Sequence, residues 1–192
     1  MSVPLINPLV PRQPVPLLDV ALVGGGRWRL ADRTPERFSM IVFYRGLHCP
    51  VCAGYLQDLS GKLAQFVERG VDPVAISSDT EERAQAAKEK WRLSDLHVGY
   101  GLDLNVARSW GLYLSSGRGH TSAGVDEPPL FSEPALYLIR PDRTLYFGAV
   151  QTMPFARPHF DDILKALDFV IAKDYPARGE FSDEIEATQA AA

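Results

Sequence analysis

Two cysteines, Cys49 and Cys52, are the residues whose type and spacing most directly indicate chemistry. They are the only cysteines in the chain of 192 residues, and together they form a Cys-x-x-Cys unit that contains Pro50. A thiolate attacks disulfides and peroxides, and a second thiol three residues away can close an intramolecular disulfide with little movement. The spacing therefore predicts two-electron redox chemistry, with both cysteines in one active site.

The surrounding elements predict which cysteine attacks. Residues 40–44 form a continuous apolar run, typical of a strand buried on both faces, and apolar residues recur at helical spacing over residues 52–67. Cys49 would stand at the entrance of this helix, where unpaired N–H groups and the helix dipole favour a thiolate and where Arg45 and His48 add positive charge. We expect Cys49 to be exposed and to attack, and the second cysteine to be buried and to resolve the intermediate.

Two other interpretations of the cysteine pair stay open. Half of a zinc site also has a Cys-x-x-Cys unit, but it needs two further ligands, and the four histidines of this chain occur singly. An incidental buried pair is the other interpretation, because a free cysteine behaves as a small hydrophobic residue. The strand–loop–helix context favours redox chemistry over both.

The remainder of the chain predicts an α/β fold with a mixed central sheet, in which the first two buried strands are parallel. Glycines 24–26 stand between two apolar stretches and predict a β-hairpin rather than a phosphate-binding loop. Ser78 and Glu81 are predicted to form a capping box. Residues 114–132 are polar and long for a connection, so they are predicted to be a functional or a mobile loop. Further strands are predicted at residues 71–77, 98–101, 135–139 and 145–150. Further helices are predicted from this capping box to about residue 91 and at residues 104–110 and 160–171.

Composition and the chain ends limit the function classes. One domain is expected over residues 17–179, preceded by an extended arm with five prolines at residues 1–16 and followed by a flexible tail at residues 180–192. Hydrophobic residues make up 46% of the chain, enough for a core, and the net charge of −4 argues against nucleic-acid or anionic-membrane binding. No apolar run approaches the ~18–20 residues that span a bilayer, and no secretory signal is recognised. A cytoplasmic location is therefore expected.

The segment around the cysteines resembles a known family. Residues 43–52 are Phe-Tyr-Arg-Gly-Leu-His-Cys-Pro-Val-Cys. They are similar to the active-site segment of the alkyl hydroperoxide reductase/thiol-specific antioxidant family, and in particular to peroxiredoxin-like redoxins with Tyr-Arg-Gly-x-x-Cys-Pro-x-Cys. The similarity extends over residues 17–179 and includes residues 153–158 and 174–179. The resemblance implies a thioredoxin-like fold, here with an N-terminal β-hairpin extension, and it gives the place of the nucleophile to Cys49.

The same resemblance implies a role for Pro134 and reveals departures from the family pattern. In thioredoxin-like folds a cis-proline before a strand faces the cysteines, and Pro134 matches it by position, although an ordinary proline at a strand start is the alternative. Gly46 stands where typical peroxiredoxins have a Thr or Ser, and Pro134 stands where they have an arginine. Arg45 or Arg157 could approach the cysteines in place of these donors, or could hold surface ion pairs instead. Cys52 is also closer in sequence to the nucleophile than most peroxiredoxin resolving cysteines, so the departures resemble thioredoxin.

The sequence thus predicts a peroxiredoxin-like thiol oxidoreductase that requires no metal, flavin or nucleotide cofactor. The expected substrate is a disulfide or a hydroperoxide, and the expected reductant is thioredoxin, glutaredoxin or a small thiol. A homodimer is among the expected assemblies, whereas nucleic acid and membranes are not among the expected partners. The alternative is a thioredoxin-fold binding or scaffold domain without activity, in which the pKa of Cys49 would be unshifted.

Overall fold

The computed structural model describes residues 7–183, and its elements follow the α/β order expected from the sequence. The strands are β1 (Asp19–Leu22), β2 (Arg27–Arg29), β3 (Phe38–Phe43), β4 (Val71–Ile76), β5 (His97–Tyr100), β6 (Leu114–Ser116), β7 (Leu130–Ser132), β8 (Ala135–Ile139) and β9 (Leu145–Val150). The helices are α1 (Pro50–Gly61), α2 (Leu63–Glu68), α3 (Glu81–Lys90), α4 (Leu104–Ser109) and α5 (Phe160–Lys173).

Seven strands form one mixed sheet in the order β2-β1-β5-β4-β3-β8-β9. β3 lies parallel to β4, as expected, and antiparallel to β8. The predicted N-terminal hairpin is confirmed, since β1 pairs with β2 and joins the sheet through β5. β3 is thus an interior strand, so the cysteine segment that follows its carboxyl end lies at the middle of the sheet edge.

β3 is apolar because both faces of the sheet are covered at this strand. All six of its residues are buried. Met40 and Val42 belong to the core cluster under α1, α3 and α5, whereas Ile41 and Phe43 belong to the cluster that contains Trp110. Each fully buried side chain of this size stabilises the fold by about 1.5–3 kcal/mol. The strand that carries the active-site segment is therefore firmly held.

The predicted single helix over residues 52–67 is wrong in its second half. α1 ends at Gly61, Lys62 adopts φ −110° and ψ 5°, and a separate helix begins at Leu63. Val67, predicted on the apolar stripe, is 63% exposed. Glycine at the end of α1 favours such a break by about 1 kcal/mol relative to alanine. After the break the last two turns form a separate helix.

The predicted capping box of α3 is also wrong. The helix begins at Glu81, so Glu81 is its first residue and not the third. Thr80 is the N-cap residue, and its hydroxyl accepts a hydrogen bond from the Arg83 N–H at 3.4 Å. Ser78 lies outside the helix. The N-cap hydrogen bond is thus accepted by the hydroxyl of Thr80, which is next to the helix, rather than by the hydroxyl of Ser78.

Residues 114–132 are more ordered than the predicted loop. Their ends pair as the antiparallel strands β6 and β7. Between these strands the chain runs back over the cysteine segment, where the Thr121 hydroxyl donates a hydrogen bond to the His48 carbonyl oxygen at 2.9 Å. This segment, residues 117–129, is called the covering segment below.

The described part of the N-terminal arm lies along the edge of the sheet. The Arg12 N–H donates to the Leu145 carbonyl, and the Leu145 N–H donates to the Gln13 carbonyl. Residues 1–6 of the predicted arm and residues 184–192 of the predicted tail lie outside the described residues. The division into arm, domain and tail stays a prediction.

Candidate active site

Cys49 is the N-cap residue of α1, and Cys52 lies one turn into the helix. Cys49 has an extended backbone (φ −99°, ψ 106°), Pro50 opens the helix, and the Cys52 N–H donates to the Cys49 carbonyl at 3.1 Å. Proline suits this position because its missing N–H would have no helical partner. Both cysteines are free thiols. The pair therefore lies at the strand–helix junction that the sequence predicts.

The expectation that Cys49 is exposed is wrong. Its exposed fraction is 1%, and that of Cys52 is 0%. Cys49 belongs to the apolar core cluster, and two segments distant in sequence lie beside it: Thr121 of the covering segment contacts the His48 carbonyl, and Arg157 lies against both sulfurs. Neither contact has a local sequence signal.

The two thiols have opposite pKa shifts. The pKa of Cys49 is lowered to about 5, mainly because the Cys52 thiol donates a hydrogen bond to its sulfur; Arg157 and Arg45 add to this, and burial opposes it. The pKa of Cys52 is raised well above its ordinary value, mainly because its sulfur is fully buried. The proton shared by the pair therefore stays on Cys52, and Cys49 is the thiolate. This is the direction expected from the sequence.

His48 adds no positive charge at neutral pH, contrary to expectation. Its ring is fully buried and packs against Phe131 with 4.6 Å between ring centroids. Burial lowers its pKa to about 4. Its Nδ1 atom lies 3.5 Å from Nη2 of Arg83, a permanent cation. The positive charge that residues 7–183 place at the site therefore comes from arginines.

Arg157 approaches both sulfurs. Its Nη2 atom lies 3.8 Å from Cys49 Sγ and 3.3 Å from Cys52 Sγ. Its Nε atom donates to the Pro154 carbonyl, and its guanidinium carbon lies 5.1 Å from the centre of the Tyr55 ring. Its buried Nη1 atom has no hydrogen-bond partner among the described residues. Arg157 therefore places a charge at the thiols and carries, on the same guanidinium, a buried donor without a partner among the described residues.

Arg45, by contrast, is already paired with carboxylates. Its Nη2 atom donates to Glu127 Oε1 at 3.1 Å. Its Nε atom lies 3.3 Å from Glu133 Oε2, an ion-pair distance without the alignment of a hydrogen bond. The guanidinium carbon also lies 4.7 Å from the centre of the Phe131 ring. Its charge is offset by two glutamates, so it is less available to a thiolate than the charge of Arg157.

The structure explains why position 46 is glycine. Gly46 has φ +132°, and a Cβ atom added there would lie 2.6 Å from Asp79 Oδ2. This buried carboxylate accepts the Leu47 N–H at 2.7 Å and the Nε–H of Arg83 at 2.8 Å. The Gly46 carbonyl in turn accepts the Cys49 N–H at 3.1 Å. Asp79 thus occupies the place that a Thr or Ser side chain would need, and it helps to fix the loop before Cys49.

Pro134 does not have the predicted cis conformation. The Glu133–Pro134 bond is trans, since residues 7–183 contain no cis peptide bond. Pro134 is buried, and its carbonyl accepts the Gln151 N–H at 3.0 Å, which continues the β8–β9 ladder by one residue. Because Ala135 pairs with Phe43, Pro134 lies at the same end of the sheet as the cysteine segment. The prediction of a cis bond is therefore wrong, whereas a role of Pro134 beside the cysteines stays a prediction.

Five residues of the site were not predicted from the sequence: Asp79, Arg83, Thr121, Glu127 and Glu133. Asp79 had a usable signal, since it follows a buried strand parallel to β3, and neighbouring parallel strands end at the same edge of a sheet. The two glutamates and Thr121 lie on or beside the covering segment. Their positions depend on how this segment folds back.

Within residues 7–183, no three His, Cys, Asp or Glu side chains are grouped so that they could hold a metal ion. None of the helices in this range combines the length and the apolar character that a membrane crossing needs.

Comparison with solved structures gives matches to peroxiredoxins at low sequence identity. Peroxidoxin BcpB from Mycobacterium tuberculosis has a TM-score of 0.66 and 20% identity, covering 84% of this chain and 98% of that one. The reduced 2-Cys peroxiredoxin of Plasmodium vivax has a TM-score of 0.69 and 16% identity, covering 87% and 84%. Enterococcus faecalis AhpC has a TM-score of 0.66 and 16% identity, covering 93% and 99%. These matches confirm the thioredoxin-like fold.

Comparison of sequences defines the family. The model of the AhpC/TSA family matches residues 11–147, more than half of the chain. A comparison with curated proteins gives no significant match. The matched range includes both cysteines and ends before Arg157, so the cation that lies against the sulfurs comes from outside it. The chain, with its paired thiols at the start of α1, therefore belongs to the AhpC/TSA family and is a thioredoxin-fold oxidoreductase.

Proposed function

We propose that the protein is a thiol peroxidase and disulfide reductase in which Cys49 is the nucleophile and Cys52 resolves the intermediate. The observation that carries this proposal is the contact of the Arg157 guanidinium with both sulfurs, at 3.8 Å from Cys49 Sγ and 3.3 Å from Cys52 Sγ. A thiolate beside a permanent cation, with a protonated thiol one helical turn away, is the arrangement that thiol–disulfide chemistry requires.

The reaction with a hydroperoxide proceeds in two steps. The Cys49 thiolate attacks the outer peroxide oxygen, the O–O bond breaks, and the departing alkoxide takes a proton, which leaves a sulfenic acid on Cys49. Cys52 then attacks this sulfur as a thiolate, and water leaves as the disulfide forms. The free Nη1 donor of Arg157 supports the first step, because it can stabilise the charge that develops on the departing oxygen.

A disulfide substrate would follow the same course. Cys49 attacks one sulfur, a mixed disulfide forms with release of a thiolate, and Cys52 displaces the second half. The 1% exposure of Cys49 limits access to its sulfur. We therefore expect small disulfides to react more readily than folded disulfide proteins, which would require movement of the covering segment.

The relative rates of the two substrates form the main test of this function. We expect a second-order rate constant with hydrogen peroxide below about 10⁶ M⁻¹s⁻¹, within the modest part of the enzyme range, and a small neutral disulfide to be at least competitive. Each missing oxyanion donor typically costs ~10²–10³ in rate. Asp79 fills the space of the hydroxyl side chain at Gly46, and Pro134 offers no donor. Stopped-flow oxidation of the reduced protein measures both reactions.

Cys49→Ser protein supplies the background for these rates. A hydrogen peroxide rate constant above the stated limit would contradict the expectation and would assign the missing donor roles to Arg157 or Thr121. Absence of reaction with either substrate would contradict the proposed function itself and favour the scaffold alternative.

The pH dependence of alkylation tests the assignment of the thiolate. Because the pKa of Cys49 is lowered to about 5, its thiolate persists as the pH falls from neutral and is lost only near that value. The rate of iodoacetamide labelling, assigned by peptide mapping, should therefore be half-maximal near pH 5, well below the ~8.5 of a free thiol. Cys52→Ser keeps a hydrogen-bond donor, whereas Cys52→Ala removes it and should move the midpoint upward. Predominant labelling of Cys52 at neutral pH would overturn the assignment.

The remaining expectations extend this proposal to the cell. We propose thioredoxin, glutaredoxin or a small thiol as the reductant, a cytoplasmic location, and a protein that acts as a monomer or as a homodimer. A reducing compartment fits the chemistry, since the disulfide has to be reduced after each turnover. Activity assays with each reductant, on protein of known oligomeric state, distinguish these alternatives.

A further inference from the structure

The guanidinium of Arg157 lies nearer to the resolving sulfur than to the attacking one. Its Nη2 atom is 3.3 Å from Cys52 Sγ but 3.8 Å from Cys49 Sγ. The contact with Cys52 Sγ is thus the shorter of the two, so the guanidinium can act on the resolving sulfur as well as on the Cys49 thiolate. This geometry places the cation beside Cys52, the sulfur that acts in the second step of the reaction.

Cys52 does not readily lose its proton to become a thiolate. Its sulfur is fully buried, and burial is the main cause of its raised pKa. Among residues 7–183, the titratable and charged groups that act on it most strongly are Cys49 and Arg157, and Tyr44, which follows β3 directly, also interacts with it. The pKa of the Tyr44 phenol is itself raised by burial, so this group stays neutral. Arg157 is thus the cation that faces Cys52.

Oxidation of Cys49 changes the charge that Arg157 has to balance. In the reduced protein the Cys49 thiolate is its anionic neighbour, and this thiolate disfavours a second negative charge on Cys52. When Cys49 becomes a sulfenic acid or a mixed disulfide, its charge is removed. The ion pairs found in residues 7–183 do not include Arg157, so no carboxylate in this range takes over. The guanidinium is then available to Cys52.

We propose that Arg157 is a catalytic residue of the resolving step, in which its guanidinium holds Cys52 as a thiolate while this sulfur attacks the modified Cys49. The proposal rests on the proposed function of the two cysteines. In the step, the Cys52 thiol loses its proton to solvent, the Cys52–Cys49 S–S bond forms, and the bond from Cys49 to its leaving group breaks. The leaving group is hydroxide, which becomes water, or a substrate thiolate.

The experiment uses 4,4′-dithiodipyridine, a neutral disulfide that releases a coloured thiopyridone at each step. The first release reports the attack of Cys49 and depends on the concentration of the reagent. The second release reports the attack of Cys52 on the mixed disulfide and is independent of that concentration. Cys52→Ser protein should give the first release only, which assigns the second phase. Because no peroxide is used, failure of the peroxidase activity does not affect this test.

Arg157→Gln is expected to slow the second phase at neutral pH by about 10- to 100-fold, the scale of one charge-assisted contact. The rate of its second phase should then increase about tenfold per pH unit as the pH is raised, because the fraction of Cys52 present as thiolate becomes limiting. Arg157→Lys keeps the charge and should retain most of the wild-type profile. Arg178→Gln removes an exposed arginine whose side chain, within the described part of the chain, hydrogen-bonds to Tyr175 and not to the thiols, so it should leave both phases unchanged.

Two outcomes would overturn the proposal. One is a second phase of Arg157→Gln whose rate equals the wild-type rate. A rate that is lower by the same factor at every pH would overturn the proposal as well, because a merely structural role would give that result. The other needs no variant: a wild-type second phase that already rises tenfold per unit from neutral to alkaline pH would mean that no cation holds the Cys52 thiolate. Absence of the first release in wild-type protein would instead contradict the proposed nucleophile.

Discussion

Cys49→Ser protein is expected to lose its reaction with hydrogen peroxide and with small disulfides by a factor on the order of 10³ or more, the scale observed when a catalytic nucleophile is removed. The reason is that Cys49 is the sulfur whose pKa is lowered, whereas the Cys52 thiol is fully buried and protonated. Stopped-flow oxidation and mass measurement of the product provide the rate and the site.

The matched variant Cys52→Ser should behave differently. A serine hydroxyl still donates a hydrogen bond to Cys49, so the first step is retained, and the sulfenic acid accumulates because it is not resolved. Trapping with dimedone and mass mapping detects it on Cys49. Retention of activity by Cys49→Ser, or a covalent dimer as the main product of wild-type oxidation, would contradict the assignment of the two cysteines to one intramolecular disulfide.

Gly46→Ala is expected to destabilise the protein by about 3 kcal/mol, the combined scale of a strained backbone and an overpacked site. Gly46 has φ +132°, and the added methyl group would lie 2.6 Å from a buried oxygen of Asp79. The carboxylate cannot move freely, since it accepts the Leu47 N–H and the Nε–H of Arg83. Urea unfolding under reducing conditions measures the change.

Gly54→Ala is the matched control for this substitution. Gly54 is exposed within α1, and a Cβ atom added there meets nothing within 4 Å. Alanine should therefore stabilise the helix by roughly 0.5–1 kcal/mol. Combining Gly46→Ala with Asp79→Ala should cost less than the sum of the single changes, because the clash is removed. Equal stability of Gly46→Ala and wild-type protein would show that Asp79 does not exclude a side chain at this position.

The central elements could be predicted because each had a local signal. The run from Met40 to Tyr44 indicated a strand buried on both faces, the Cys-x-x-Cys unit before a periodic stretch indicated a helix start, and the three glycines indicated a turn. Strand bounds at Ala135–Ile139 and Leu145–Val150 agree with the structure, since apolar runs flanked by turn residues define them well.

The surroundings of the thiols could not be predicted because they depend on distant contacts. The sequence predicts an exposed Cys49 because a helix entrance is usually open, whereas in the structure residues from elsewhere in the chain pack beside it. The state of Arg45 depends on Glu127 and Glu133, which lie more than 80 residues away in sequence. The trans bond at Pro134 and the buried, neutral His48 likewise depend on tertiary packing.

The position of Arg157 has a consequence for the order in which reactivity arises during synthesis. This arginine lies 108 residues after Cys49 and 105 residues after Cys52, on the connection between β9 and α5. A chain still growing on the ribosome displays its cysteines long before this cation exists. Its cysteines then lack one of the groups that lower the pKa of Cys49. We expect the thiolate to gain this last contribution to its stability only when the carboxyl-terminal elements dock.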